Sequence, residues 1–162
     1  MILGGIFATA TPAIADDAIT AKVTPERPLG RHLIYGELLG KGGLYGVGYE
    51  YAMTSRLSVG GAASFAVIRD QQVTTVSPYL HATLLQGSRN ALFTEVGAIL
   101  AHTRLPSPVD GWDGMTDTGC GGFLALGWER GTRHLVLRAS GGIVAGEGGL
   151  GPMLGFTIGF RP

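Results

Sequence analysis

The sequence predicts an all-β protein, an antiparallel up-and-down barrel of eight strands, and three observations carry that expectation. Large apolar residues alternate with small or polar ones over separate stretches of the chain, as in Leu154, Phe156, Ile158 and Phe160 set against Gly155, Thr157 and Gly159. Charged residues make up only 15% of the 162 residues, against about 25% in an average soluble domain. Mean hydropathy is positive at +0.26, yet no run of about 18 apolar residues exists to form a spanning helix. The apolar content is dispersed, which is what alternating strands do.

The elements follow in chain order. Residues 1–15 are apolar and small and end in Ala13-Ile14-Ala15, an A-x-A pattern before Asp16, so this stretch is expected to be an export signal, although no Lys or Arg precedes it. Residues 16–31 contain Pro25 and Pro28 and no apolar period, and are expected to be a flexible lead-in. The barrel domain is then 32–162. Its strands are placed at Leu33–Gly40, Leu44–Ala52, Arg56–Ile68, Val73–Leu85, Ala91–His102, Gly119–Glu129, His134–Val144 and Leu150–Phe160, separated by Gly, Asn, Asp or Ser. The longest connection runs from Thr103 to Thr118.

The two faces of these strands decide which kind of barrel is expected. Leu57, Val59, Ala63, Phe65 and Val67 share one parity of the third strand, with Ser58, Gly60, Ala62, Ser64 and Ala66 on the other. In the seventh, Leu135, Leu137 and Ile143 oppose Val136, Arg138, Ser140 and Gly142. Glu37, Glu95 and Arg138 all lie opposite the apolar rows. In a soluble barrel the apolar rows would point inward and the other face would meet water. Gly, Ala, Ser and Thr are a poor surface for water but suit a narrow lumen, where they leave room for Tyr35, Tyr79, Phe93 and Met153. The expected fold is therefore an eight-stranded antiparallel up-and-down transmembrane β-barrel, with apolar rows outward. With a periplasmic N-terminus, Met53–Ser55, Gln86–Asn90 and Arg130–Thr132 become the short periplasmic turns. Tyr49, Tyr51, Trp128 and Phe160 then fall on the outward parity near the periplasmic ends, where an aromatic girdle belongs.

From Leu33 to Phe160 the chain resembles the small eight-stranded bacterial outer-membrane barrels of the OmpA/OmpX type. Gly155-Phe156-Thr157-Ile158-Gly159-Phe160 is similar to the C-terminal signal by which such barrels are read by the barrel-assembly machinery, although Arg161-Pro162 follow the aromatic and Met153 stands where that signal carries a polar residue. "GELLGKGGLYGVGYEY" also resembles hairpins of outer-membrane barrels. The resemblance implies a fold, export to the bacterial outer membrane, and lipid and the assembly machinery as partners. It implies no activity.

The chemistry is sparse. Glu37, Glu50, Arg56, His81, Glu95, Glu129, His134 and Arg138 take the lumen parity, and the expected arrangement is a paired polar network, because an unpaired charge is costly out of water. Arg138 is expected to reach Glu37 or Glu95 and so fill the lumen, making the protein no large pore. A lipid-modifying enzyme of the deacylase or acyltransferase type is the alternative on the same scaffold. It needs a nucleophile beside a base. His134 and Ser140 lie six residues apart, about 20 Å along a strand, and Ser77 and His81 four apart, about 13 Å, so neither pair is expected to share a hydrogen bond. A soluble ligand-binding barrel is a third reading. No metal or cofactor is expected: the four His are scattered, and Cys120 is the only cysteine. "GKGG" and "GEGGLG" lack a phosphate-loop setting and are read as hairpin turns. Zero net charge gives no reason to expect nucleic acid as a partner. Asp110, Trp112, Asp113 and Asp117 in the long outer connection are the candidates for contact with an external ligand or protein.

Overall fold

The computed structural model of the chain describes residues 30–68, 71–106 and 114–162. The expected export signal and nearly all of the lead-in lie outside the described residues, as do Asp110, Trp112 and Asp113. The rest is a closed antiparallel barrel in the order β1-β2-β3-β4-β5-β6-β7-β8. The strands are β1 (His32–Leu38), β2 (Tyr45–Ala52), β3 (Leu57–Ile68), β4 (Gln71–Gln86), β5 (Asn90–Leu105), β6 (Met115–Gly131), β7 (Leu135–Gly146) and β8 (Gly149–Phe160). Each strand pairs with its sequence neighbours, and β8 returns to β1 through five pairs, Ile34↔Phe160 to Leu38↔Phe156. Closure leaves no free sheet edge over that height.

The alternation of the sequence becomes an inside and an outside. Val47, Leu126, Leu137, Leu154, Phe156 and Ile158 are exposed on the outer face, whereas Leu33, Tyr35, Tyr79, Phe93 and Val136 are buried within. The charged side chains Glu37, Glu50, Glu95, Glu129 and Arg138 are buried too. The small residues do make room for large ones. A Cβ at Gly48 would overlap the Tyr35 ring, one at Gly60 the Tyr79 ring, and one at Gly127 the Phe93 ring. The packed interior thus depends on ring-and-glycine pairs on facing strands.

Two strand bounds differ from expectation in a way that matters. β5 and β6 run on to Leu105 and begin at Met115, so the long outer connection shrinks to 106–114. Asp117 belongs to β6, exposed and paired with Thr103, rather than to a loop. Cross-strand pairing continues here because Thr116, Thr118 and Thr103 suit a pleated, half-exposed ribbon, although their apolar period is weak. Arg56 also departs from expectation. It lies just before β3 in the turn whose Thr54 hydroxyl accepts from its backbone N–H, and it is exposed, not inside the lumen.

Candidate functional site: the buried ion network of the lumen

β1, β2, β4, β5, β6 and β7 each direct ionisable side chains to the barrel axis, because every second residue of a strand faces inward. Arg138 of β7 is the centre. Its Nε donates to Glu129 Oε2 at 2.8 Å, and its Nη1 and Nη2 grip Glu50 at 2.6 and 3.0 Å. Nη1 also stands 3.6 Å from Glu95 Oε1, close enough to pair but not to hydrogen-bond. Arg138 therefore approaches Glu95, one of the two expected partners, yet gives its hydrogen bonds to Glu50 and Glu129. The planar guanidinium explains the choice, since Glu50 meets two of its N–H groups side by side.

Glu37 is held by a residue from outside the strands. The connection between β1 and β2 bends into the lumen, and Lys41 Nζ lies 3.0 Å from Glu37 and 2.8 Å from Glu95. The connection is anchored across the barrel: Ser77 Oγ donates to the Lys41 carbonyl at 2.6 Å and Thr75 Oγ1 to the Gly42 carbonyl at 3.0 Å. Its sharp path puts Leu39 and Gly43 in the left-handed region, at φ of 58° and 91°. The Lys41 ammonium also stands 4.5 Å from the Tyr79 ring centre. Burial opposes its charge, but the carboxylate of Glu95, then Tyr35 and Glu37, outweigh that and raise its pKa above the ordinary lysine value.

The network extends to both sides of Arg138. His81 Nδ1 is 3.2 Å from Glu95 Oε1, and its ring stacks on Phe93 with centres 4.8 Å apart. Tyr79 donates to Glu50 at 3.0 Å. Arg161, one residue beyond the last strand pair, reaches back to Glu129 at 3.3 Å. Among the described residues, four buried carboxylates thus meet Lys41, Arg138 and Arg161. Glu50, His81 and Glu95 could also converge on a metal ion. Arg138 and Lys41 already occupy those carboxylates, so a metal would have to displace a guanidinium or an ammonium.

Lys41 and Arg161 are the members that sequence reasoning missed. The signal was there in the charge count: four inward carboxylates against the two arginines expected inward, Arg56 and Arg138, already left the cations outnumbered in a low-dielectric space. Arg161 also continues the inward parity of Thr157 and Gly159. Neither spaced His–Ser pair shares a hydrogen bond: Ser77 is committed to the Lys41 carbonyl, and His134 Nδ1 to the Arg161 carbonyl at 3.1 Å.

On the outer face, Tyr49, Trp128 and Phe160 are exposed at the expected end of the barrel, and Tyr51 is half-buried. His32 joins them, with its Nδ1 2.6 Å from the Tyr49 hydroxyl and its ring 5.4 Å from that of Tyr51.

No protein-family model matches the chain, and no curated protein sequence matches it either. Solved structures do. The attachment invasion locus protein Ail of Yersinia pestis superposes with a TM-score of 0.54 at 12% identity, covering 81% of this chain and 93% of Ail. The structure of Ail in complex with the heparin analogue sucrose octasulfate gives 0.55 at 13%, covering 81% and 95%. The N-terminal β-barrel domain of Pseudomonas aeruginosa OprF gives 0.52 at 19%, covering 80% and 93%. At these identities the likeness is one of fold, and the fold is that of the small eight-stranded outer-membrane barrels.

Proposed function

We propose that the protein spans the bacterial outer membrane as a barrel closed to ion flow, with a structural or surface-interaction role. One observation carries this reading: the apolar rows face out while Glu37, Glu50, Glu95, Glu129 and Arg138 face in, the reverse of a soluble domain. Leu137 and Ile158, neighbours across β7 and β8, would lie against hydrocarbon. Leu124→Arg, outward near the middle of β6 and four residues from Trp128, is expected to cost about 2–4 kcal/mol, as at lipid-facing sites near the midplane. Ser140→Ala, on the inward parity, should cost much less. Urea titration of the refolded barrel in lipid vesicles measures both. A tolerated Leu124→Arg beside an unfolding Ser140→Ala would invert the facing and favour a soluble barrel.

Closure to ions rests on the side chains that cross the lumen. Tyr35, Tyr79, Phe93 and the ion network fill its middle, and the cavity on the periplasmic side is only about 30 Å³, room for a water. Purified protein in a planar bilayer should give no steady single-channel current. A large sustained current would turn the same carboxylates into a cation pathway.

The girdle of Tyr49, Tyr51, Trp128 and Phe160 supports seating of the barrel at an interface. For the surface role, Asp110, Asp113 and Asp117 with Trp112 make an acidic, aromatic outer segment. Its sign disfavours a sulfated ligand of the kind bound to Ail and favours a basic protein or a divalent cation bridging to lipid headgroups.

A further inference from the structure

The barrel wall is not of even height. β1 and β2 have 7 and 8 residues, whereas β4, β5 and β6 have 16, 16 and 17. β8 therefore has β1 beside it only from Phe156 onward, and its Gly149–Gly155 stretch pairs with β7 alone. β3 has β2 beside it only as far as Ala63, and the stretch from Ser64 to Ile68 pairs with β4 alone. Between these two edges stands a notch in the outer half of the wall. The connection that could have filled it is turned inward, where Lys41 is buried.

Behind the notch lies a cavity of about 580 Å³, floored by that connection and walled by Ala66, Val73, Ile99, Val144 and Met153. The polar side chains of its lining are already satisfied. Ser64 and Thr75 bond to each other at 2.6 Å, Thr75 also to the Gly42 carbonyl, and Lys41 is spent on Glu37 and Glu95. The rim is apolar and turned outward: Leu39, Leu44 and Leu154 are 52%, 49% and 60% exposed. The outer apolar face continues past the notch on both edges, through Phe65 and Val67 on β3 and Leu150 and Leu154 on β8.

We propose that this cavity takes up one acyl chain of a membrane lipid, entering sideways through the notch between β3 and β8. The inference rests on the membrane-spanning reading above. A volume in the range of small-molecule pockets, roughly 300–1,000 Å³, suits a single folded chain. A mouth continuous with the apolar exterior, and not only open to solvent, selects a chain already in the bilayer over a soluble ligand. With no unpaired charge inside, nothing is built to receive a headgroup, so the headgroup stays outside and the chain enters alone.

The test is photolabelling of the full chain in vesicles of phosphatidylcholine doped with an analogue carrying a diazirine on its acyl chain, followed by mapping of labelled peptides. Label is expected on the inward residues Ile99, Val144 and Met153 as well as on outward Leu137 and Ile158, and not on Val136 or Phe93 below the Lys41 floor. Ser64→Trp, which narrows the mouth, should reduce the inward label several-fold and leave the outward label unchanged, with folding checked by heat-modifiable gel mobility. Label on outward residues alone would overturn the acyl pocket while leaving the membrane reading intact. Inward labelling by a free diazirine fatty acid but not by the phospholipid would overturn the sideways route. Label on neither face would overturn the membrane reading itself.

Discussion

Arg138→Met is expected to destabilise the barrel by about 3–5 kcal/mol near neutral pH, the loss typical when one partner of a buried ion pair is removed. The methionine fills similar space, so the effect isolates charge and hydrogen bonding. It strips two hydrogen bonds from Glu50 and one from Glu129, and removes the cation 3.6 Å from Glu95. Three carboxylates are then left close together, with Lys41 serving Glu95 and Arg161 serving Glu129. The sign of the pH dependence follows. In the parent, protonating Glu50 or Glu129 removes a paired charge, so acid weakens the network. In the variant, protonating an orphaned carboxylate removes repulsion and desolvation cost, so acid strengthens the barrel. The stability gap between the two should narrow from both sides as pH falls. Arg138→Lys keeps the charge but loses the fork that holds Glu50 by two bonds, and should fall between them. Urea midpoints of the refolded proteins at neutral and mildly acid pH measure all three. A gap that does not change with pH would mean that Arg138 acts through packing.

What was legible in the sequence divides by physical range. The eight strands and their facing could be read because alternation is a local property, and burying one face fixes register. Val136 and Leu137, adjacent in β7, end up fully buried and exposed as their parity requires. The members of the network on strands could be read the same way. Lys41 could not, because it enters the lumen by the path of a connection, and that path depends on Thr75 and Ser77 of a strand far off in sequence. The glycines read as a hairpin turn do form one, and they also permit its tight inward bend, with Gly43 in the left-handed region. The partner choice of Arg138 was equally hidden, since which carboxylates share its height depends on the shear of the closed barrel and not on any one strand. Arg56 shows the opposite error: parity extended one residue past a strand end assigns a face where no strand exists.

Deletion from Ile158 onward is expected to prevent the barrel from closing, in detergent as well as in cells. Only five pairs join β8 to β1, and the deletion removes three of them, Ile34↔Phe160, Tyr35↔Gly159 and Gly36↔Ile158. It also cuts the pairs of Ile158, Gly159 and Phe160 with β7 and the bond from Arg161 to Glu129. The remaining seam cannot hold. An open barrel in hydrocarbon exposes unpaired N–H and C=O groups that cost several kcal/mol each, roughly the whole stability of a small domain after a few rungs. Phe160→Ala makes a different demand. Its side chain is exposed on the outer face and, among the described residues, stacks on the His134 ring at 5.8 Å, so the backbone seam survives its loss. That variant should refold in detergent nearly as well as the parent, yet assemble poorly in cells, because recognition of the terminal strand by the assembly machinery is a step apart from stability. Heat-modifiable mobility after refolding, set beside the amount of protein recovered in outer membranes, separates the two. A deletion variant that refolds to a heat-modifiable barrel would show that the five-pair seam is not what closes it. Equal losses for Phe160→Ala in both assays would make the terminal aromatic a packing residue and not a signal.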